Sequence, residues 1–290
     1  MDENVYLTRE ELDSIINNDK LIGKGTEGAC FAHGNEIYKV YHNTYESKRM
    51  LSTPQKVDEE GVRIFDQDEI RNSLYTTDDH RIIKYTDKEG TKLTVEDGLS
   101  RAINKGEKIV NTKLPTKILY VDGKVKGCVY PYHKKTKSIY YAYKKLYKKR
   151  LLICKRLIEQ VKELVNNNIY PVDLCQKGDN NIFDKSIANV LLDNKNNPII
   201  IDLEGKSTLY SDSYNKKYEE ITALSLGTLI LEILTREDIQ EDLADENIED
   251  VQSYLTDLGL THEQVELFLD GQFTINDIDE MIKTIENRKR

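Results

Sequence analysis

Tryptophan is absent from the 290 residues, and only five prolines, five histidines and four cysteines occur. Cys30, Cys128, Cys154 and Cys175 stand singly, with no CxxC pair. That excludes a zinc-ribbon spacing and a disulfide framework, and predicts reduced core thiols in a cytoplasmic protein. The histidines show no metal-ligand spacing, and no Ser-His-Asp or Cys-His arrangement stands out, so neither a metal centre of that kind nor a hydrolase triad is expected. No apolar run approaches the roughly 18 residues of a membrane span. The opening MDENVYLTREEL is acidic and polar, which predicts neither a secretory signal nor a transit peptide. With few prolines and no Ser/Gly tract, a flexible linker between separate domains is not expected, and the length suits one large or two-lobed domain with a real core.

Charge is plentiful and unevenly spread. Lys and Arg total 42 against 51 Asp and Glu, a net charge of −9. From His133 to Arg156 there are ten Lys or Arg and no acid, interleaved with Tyr140, Tyr141, Tyr143 and Tyr147. Single-stranded nucleic-acid binders mix cations and rings in this way. The net charge opposes that reading, as does the stretch from Glu237 to Asp257, which holds nine acids and no base. Nucleic acid is therefore not the expected partner. The stretch 134–156 reads either as a solvated helix face or as a docking surface for an acidic protein.

The strongest functional signal runs from Ile182 to Gly205, IFDKSIANVLLDNKNNPIIIDLEG. Two short apolar runs, Val190 to Leu192 and Ile199 to Ile201, flank a polar turn from Asp193 to Pro198 and predict a β-hairpin. Asn189 stands at its entrance and Asp202 at its exit. A carboxamide and a carboxylate held side by side offer hard oxygen ligands of the kind Mg²⁺ accepts along with waters and substrate phosphates.

Here the chain resembles the eukaryotic-like protein kinases, in a divergent bacterial or phage form. In that family the base Asp lies five residues before the Asn, as Asp184 does before Asn189, and a metal-binding Asp follows the hairpin, as Asp202 does. The HRD triplet reads Ile182-Phe183-Asp184, and the DFG triplet becomes Asp202-Leu203-Glu204-Gly205, where Glu204 is a candidate further metal ligand. A second placement of the base is open. Ile169-Tyr170-Pro171-Val172-Asp173-Leu174 also looks like the strand and HRDL segment after the long C-lobe helix, which would make Asp173 the base and 175–185 an insertion.

Upstream, Gly23, Gly25 and Gly28 form a GxGxxG, followed by an alternating segment and by Lys39 within Glu36-Ile37-Tyr38-Lys39-Val40-Tyr41. A dinucleotide fold would need a helix directly after the glycines, and none is visible. The resemblance instead implies a glycine loop covering the phosphates of ATP and a strand lysine gripping them. The glutamate that pairs with that lysine is Glu69 or Glu96; a predicted helix over 95–108 and a hairpin from Thr116 to Tyr130 across Asp122-Gly123 favour Glu96. Pro131-Tyr132-His133 then starts the hinge, and 44–92 is an insertion; the alternative makes 81–87 and 91–95 the last small-lobe strands.

Thr8 and Glu11 predict a capped helix ending near Asn18. Leu151, Cys154, Leu157, Ile158, Val161 and Leu164 mark one apolar helix stripe. The run from Glu220 to Leu234 is apolar nearly all round, as in a helix buried at a domain centre, with Glu220 where the family usually has Asp. The remainder, 238–290, predicts acidic amphipathic helices.

The reading is an α+β, two-lobed protein-kinase-like fold, with a β-rich N-lobe over 1–132 and a larger helical C-lobe over 133–290. The resemblance implies a phosphotransferase using ATP and Mg²⁺ and acting on a hydroxyl, with protein Ser/Thr favoured. The alternatives are a small-molecule kinase like those for choline and antibiotics, or a pseudokinase that binds a nucleotide or partner.

Overall fold

The computed structural model describes residues 4–24, 28–41, 85–86, 92–93, 95–106, 109, 114–133, 135–175, 189–204 and 208–288. The chain divides into two compact units. The first comprises Met1–Lys108, Lys113–His133 and Glu204–Lys206; the second comprises Ile109–Thr112, Lys134–Leu203 and Ser207–Arg290. The architecture is α+β, with the main sheet in the first unit and most helices in the second.

In chain order the first unit holds β1 (Val5–Leu7), α1 (Arg9–Asn18), β2 (Lys20–Lys24), β3 (Gly28–His33), β4 (Glu36–Tyr41), a short ribbon of β5 (Tyr85–Thr86) and β6 (Lys92–Leu93), α2 (Val95–Gly106), β7 (Lys117–Val121) and β8 (Lys124–Pro131). Six strands form one sheet in the order β1-β7-β8-β4-β3-β2, with β1 parallel to β7 and the other pairs antiparallel. Side chains alternate across a strand, so β4 sends Tyr38 and Val40 to one face and Lys39 and Tyr41 to the other. On the first face, Leu12, Ile15 and Ile16 of α1 pack with Phe31, Tyr38, Val40, Leu119 and Val129. Each large apolar side chain so buried contributes about 1.5–3 kcal/mol. The start of α1 is fixed by a reciprocal cap, Glu11 N donating to Thr8 Oγ1 at 3.2 Å and Thr8 N to Glu11 Oε2 at 2.7 Å. On the second face, Leu99 packs with Tyr41, Ile118, Cys128 and Tyr130.

The second unit opens with β9 (Lys137–Ser138), a 3₁₀ turn (Ile139–Lys144) and α3 (Tyr147–Asn166). It continues through β10 (Ile169–Pro171), β11 (Val190–Leu192), β12 (Pro198–Ile200) and β13 (Thr208–Tyr210) to α4 (Lys216–Thr235). Four shorter helices close it: α5 (Ile239–Ala244), α6 (Ile248–Leu258), α7 (His262–Leu269) and α8 (Ile275–Arg288). The apolar stripe of α3 is buried in full, and α4 is buried over most of its circumference, which explains why its sequence lacks a polar face. Thr261 and Gln264 make a second reciprocal cap at the start of α7. Among the described residues no helix is long and apolar enough to cross a membrane.

Candidate functional site

In the second unit, β10 delivers Asp173 two residues beyond Pro171. The backbone there is held from α4: Leu174 N donates to Ser225 Oγ at 2.9 Å, and the Cys175 thiol donates to Ser225 O at 3.3 Å. The hairpin of β11 and β12 pairs Val190 with Ile200 and Leu192 with Pro198. Its turn is pinned by Asp193, whose carboxylate accepts from Lys195 N at 2.8 Å and Asn197 N at 2.7 Å. Ile201 N donates to Asn189 O at 2.8 Å, extending the ladder to the residue just before Asp202.

These supports bring Asp173, Asn189 and Asp202 together. Asn189 is buried, and its Nδ2 donates to Asp173 O at 2.7 Å. Burial pushes the Asp173 carboxyl above the ordinary carboxylate range; the charge of Asp202 pushes the same way, and a hydrogen bond from Asn189 opposes both. Asp202 has φ of 60°, the left-handed region. Aspartate tolerates that region better than most residues, but such backbone still costs of order 1–3 kcal/mol, and its retention is an outlier of the kind that collects at functional sites. After it, the Tyr210 hydroxyl of β13 donates to Leu203 O.

In the first unit, Lys39 Nζ lies 2.6 Å from Glu204 Oε1. Both are buried, Glu204 completely, and among the described residues Glu204 Oε2 has no hydrogen-bond partner. Lys39 sits in a row of directly paired residues, Cys30 on β3 and Cys128 on β8. The close approach of β8 requires Gly127, where a Cβ would stand 1.9 Å from Lys39 O. Gly28 has the same role across β3 and β4, since a Cβ there would lie 2.4 Å from Val40 O.

The other sequence candidates fall as follows. Gly23 lies on β2 at an irregularity in its pairing with β3. Gly25, Glu69 and Asp184 lie outside the described residues, as does most of 44–92. Glu96 is exposed on α2, and its carboxylate accepts the Tyr120 hydroxyl at 2.7 Å. Glu204, read from sequence as a metal ligand, is the acid that meets Lys39. Glu220 pairs with Lys216 at 3.3 Å on the surface of α4, while the contact from α4 to the Asp173 loop comes from Ser225. Sequence reasoning missed Ser225 and Gly127. A polar residue inside the apolar run of α4 was the signal available for Ser225.

No family model matches this chain, and no curated protein sequence matches it.

Proposed function

We propose that the protein is a kinase that transfers the γ-phosphoryl group of ATP to a hydroxyl, with protein Ser/Thr the favoured acceptor. The observation that carries this reading is the convergence of Asp173, Asn189 and Asp202, with Asn189 Nδ2 bound to Asp173 O and Asp202 held at positive φ.

The donor set fits Mg²⁺. Asn189 commits its Nδ2 to Asp173 O, which leaves its amide oxygen to serve as a ligand, and Asp202 would add a carboxylate. Among the described residues no group of three or more His, Cys, Asp or Glu could hold a metal ion. A site with few protein ligands suits an ion that keeps waters and takes substrate phosphates. When bound, Mg²⁺ supplies charge neutralisation at the phosphates.

Within this reading Asp173 is the base, because Asn189 and Asp202 surround it and its raised affinity for a proton suits a proton acceptor. The acceptor oxygen bonds to the γ-phosphorus, the bond from that phosphorus to the β–γ bridging oxygen breaks, the hydroxyl proton passes to the Asp173 carboxylate, and ADP leaves. By the resemblance Lys39, Gly23 and Gly28 would contact phosphates, and Lys39 would have to exchange its Glu204 contact for them. That requirement also favours a second reading, a pseudokinase whose lysine stays with Glu204.

Incubation of the purified protein with Mg²⁺, radiolabelled ATP and a generic protein substrate separates the two. Incorporated label that is lost in Asp202→Asn supports the kinase. Tight Mg-ATP binding by calorimetry without label transfer or ATP turnover supports the pseudokinase, and no nucleotide binding at all overturns both.

A further inference from the structure

Three ammonium groups converge on one tyrosine. Lys137 Nζ lies 3.9 Å from the centroid of the Tyr141 ring, Lys145 Nζ 4.5 Å and Lys144 Nζ 5.8 Å. Like charges so close repel one another, and the ring quadrupole offsets part of that cost at each contact. The phenol is drawn in too: its hydrogen bond with Lys137 and the charges of Lys137, Lys145 and Lys144 hold Tyr141 below the usual phenol range. The surrounding sequence from His133 to Arg156 contains no carboxylate. Tyr141 is thus a scaffold that gathers positive charge without neutralising it.

The position of this cluster is set by the sheet that carries the candidate site. β9 pairs with β11, Ser138 opposite Leu191 and Lys137 opposite Leu192, and β11 starts one residue after Asn189. One strand spacing of about 4.8 Å and three residues at about 3.4 Å put the backbone of Lys137 roughly 11 Å from that of Asn189. That is the span of three or four residues of extended peptide.

We infer that Lys137, Lys144 and Lys145, assembled on Tyr141, form an acceptor subsite for acidic peptide, binding Asp or Glu carboxylates, or a phosphate already present, a few residues from the hydroxyl. The inference rests on the kinase reading for its placement beside the reacting hydroxyl, but the anion binding itself is independent of transfer. Single-stranded nucleic acid is the poorer occupant, because Lys137 covers the ring face on which a base would stack, and the chain carries a net charge of −9.

The test uses the full chain and a fluorescein-labelled peptide with one serine flanked by Glu and Asp, followed by anisotropy near 50 mM salt. The variant Lys137→Glu/Lys144→Glu/Lys145→Glu is expected to bind at least about tenfold more weakly. Tyr141→Leu, which removes the scaffold and leaves every charge, is expected to weaken binding severalfold, and Tyr141→Phe much less. Circular dichroism and thermal unfolding verify the fold of each variant. Binding of the triple variant within twofold of the wild type overturns the inference. So does an oligonucleotide of equal charge that binds as tightly as the peptide, which would mark a general polyanion surface. Concentration-dependent self-association that the triple variant abolishes also overturns it, assigning the patch to the acidic 237–257 stretch of a second copy. Peptide binding without Mg-ATP binding would sink the kinase reading and leave the anion subsite standing. Phosphoryl transfer with no preference for acidic over neutral acceptors would do the reverse.

Discussion

Lys39→Met weighs the ion pair that joins the strand lysine to Glu204. The two charged atoms are 2.6 Å apart, and the side chains are 9% and 0% exposed. At an effective dielectric constant of about 20, the attraction at that distance is about 6 kcal/mol before the cost of drying both groups. Methionine keeps the length and most of the apolar stem of lysine but removes the charge. Glu204 then stays fully buried, with Oε1 deprived of the lysine and Oε2 without a hydrogen bond among the described residues. Removing one member of such a pair typically costs about 3–5 kcal/mol. For a chain of this size each kcal/mol moves the midpoint of thermal unfolding by about 2–4 °C, so a fall of about 10 °C is expected. Removing both charges tells the pair from the packing: Lys39→Met/Glu204→Leu is expected to regain most of the loss, since a well-packed apolar replacement of a buried pair is often neutral or better. Urea and thermal unfolding of the wild type, Lys39→Met, Glu204→Leu and the double variant, followed by circular dichroism, complete the cycle. A shift below about 2 °C for Lys39→Met, or a double variant no more stable than the single one, would refute the reasoning. The result also bears on activity, because loss of turnover in Lys39→Met would report damaged folding as well as a missing phosphate contact.

Asp202→Asn is expected to keep the fold and lose most Mg-ATP affinity by calorimetry, and unchanged affinity would remove Asp202 from the metal site. Asp173→Ala is expected to lower turnover by at least about 10²-fold and Asp184→Ala by much less, with the opposite order returning the base to Asp184. The same carboxylate leaves a mark on stability. Burial and Asp202 raise the folded-state pKa of Asp173, so folded protein holds this proton more tightly than unfolded chain does, and the stability contribution is lost as pH rises through the folded value. Asp173→Asn is therefore expected to raise the melting temperature near pH 8 and to leave it unchanged near pH 3, and the acidic limb of the wild-type rate profile is expected above the ordinary carboxylate range. Ser225→Ala removes the acceptor for Leu174 N and is expected to cost about 1–3 kcal/mol and to lower turnover while leaving Mg-ATP affinity unchanged.

What was legible in the sequence was local. Alternation gave away β4, and the Asp122-Gly123 turn the hairpin of β7 and β8; the Thr8–Glu11 and Thr261–Gln264 caps marked helix starts; and the polar turn between Leu192 and Pro198 marked the hairpin that carries Asn189 and Asp202. Each of these depends on contacts only a few residues apart, which a linear pattern records. The contacts around the candidate residues of each unit are long-range. Gly127 exists for the carbonyl of Lys39, Ser225 for the amide of Leu174, and Glu204 meets a lysine 165 positions earlier in the chain. None of these leaves a periodicity, and a glycine or serine in such a place looks like any other. The choice between Asp184 and Asp173 shows the same limit from the other side. Counting residues favours Asp184, because a five-residue interval to the Asn is the spacing of the protein kinases the sequence resembles. A hydrogen bond counts distance instead, and the one from Asn189 Nδ2 reaches the carbonyl of Asp173 across sixteen residues of chain. Within the kinase reading that bond is what favours Asp173, and the paired variants Asp173→Ala and Asp184→Ala decide between the two carboxylates.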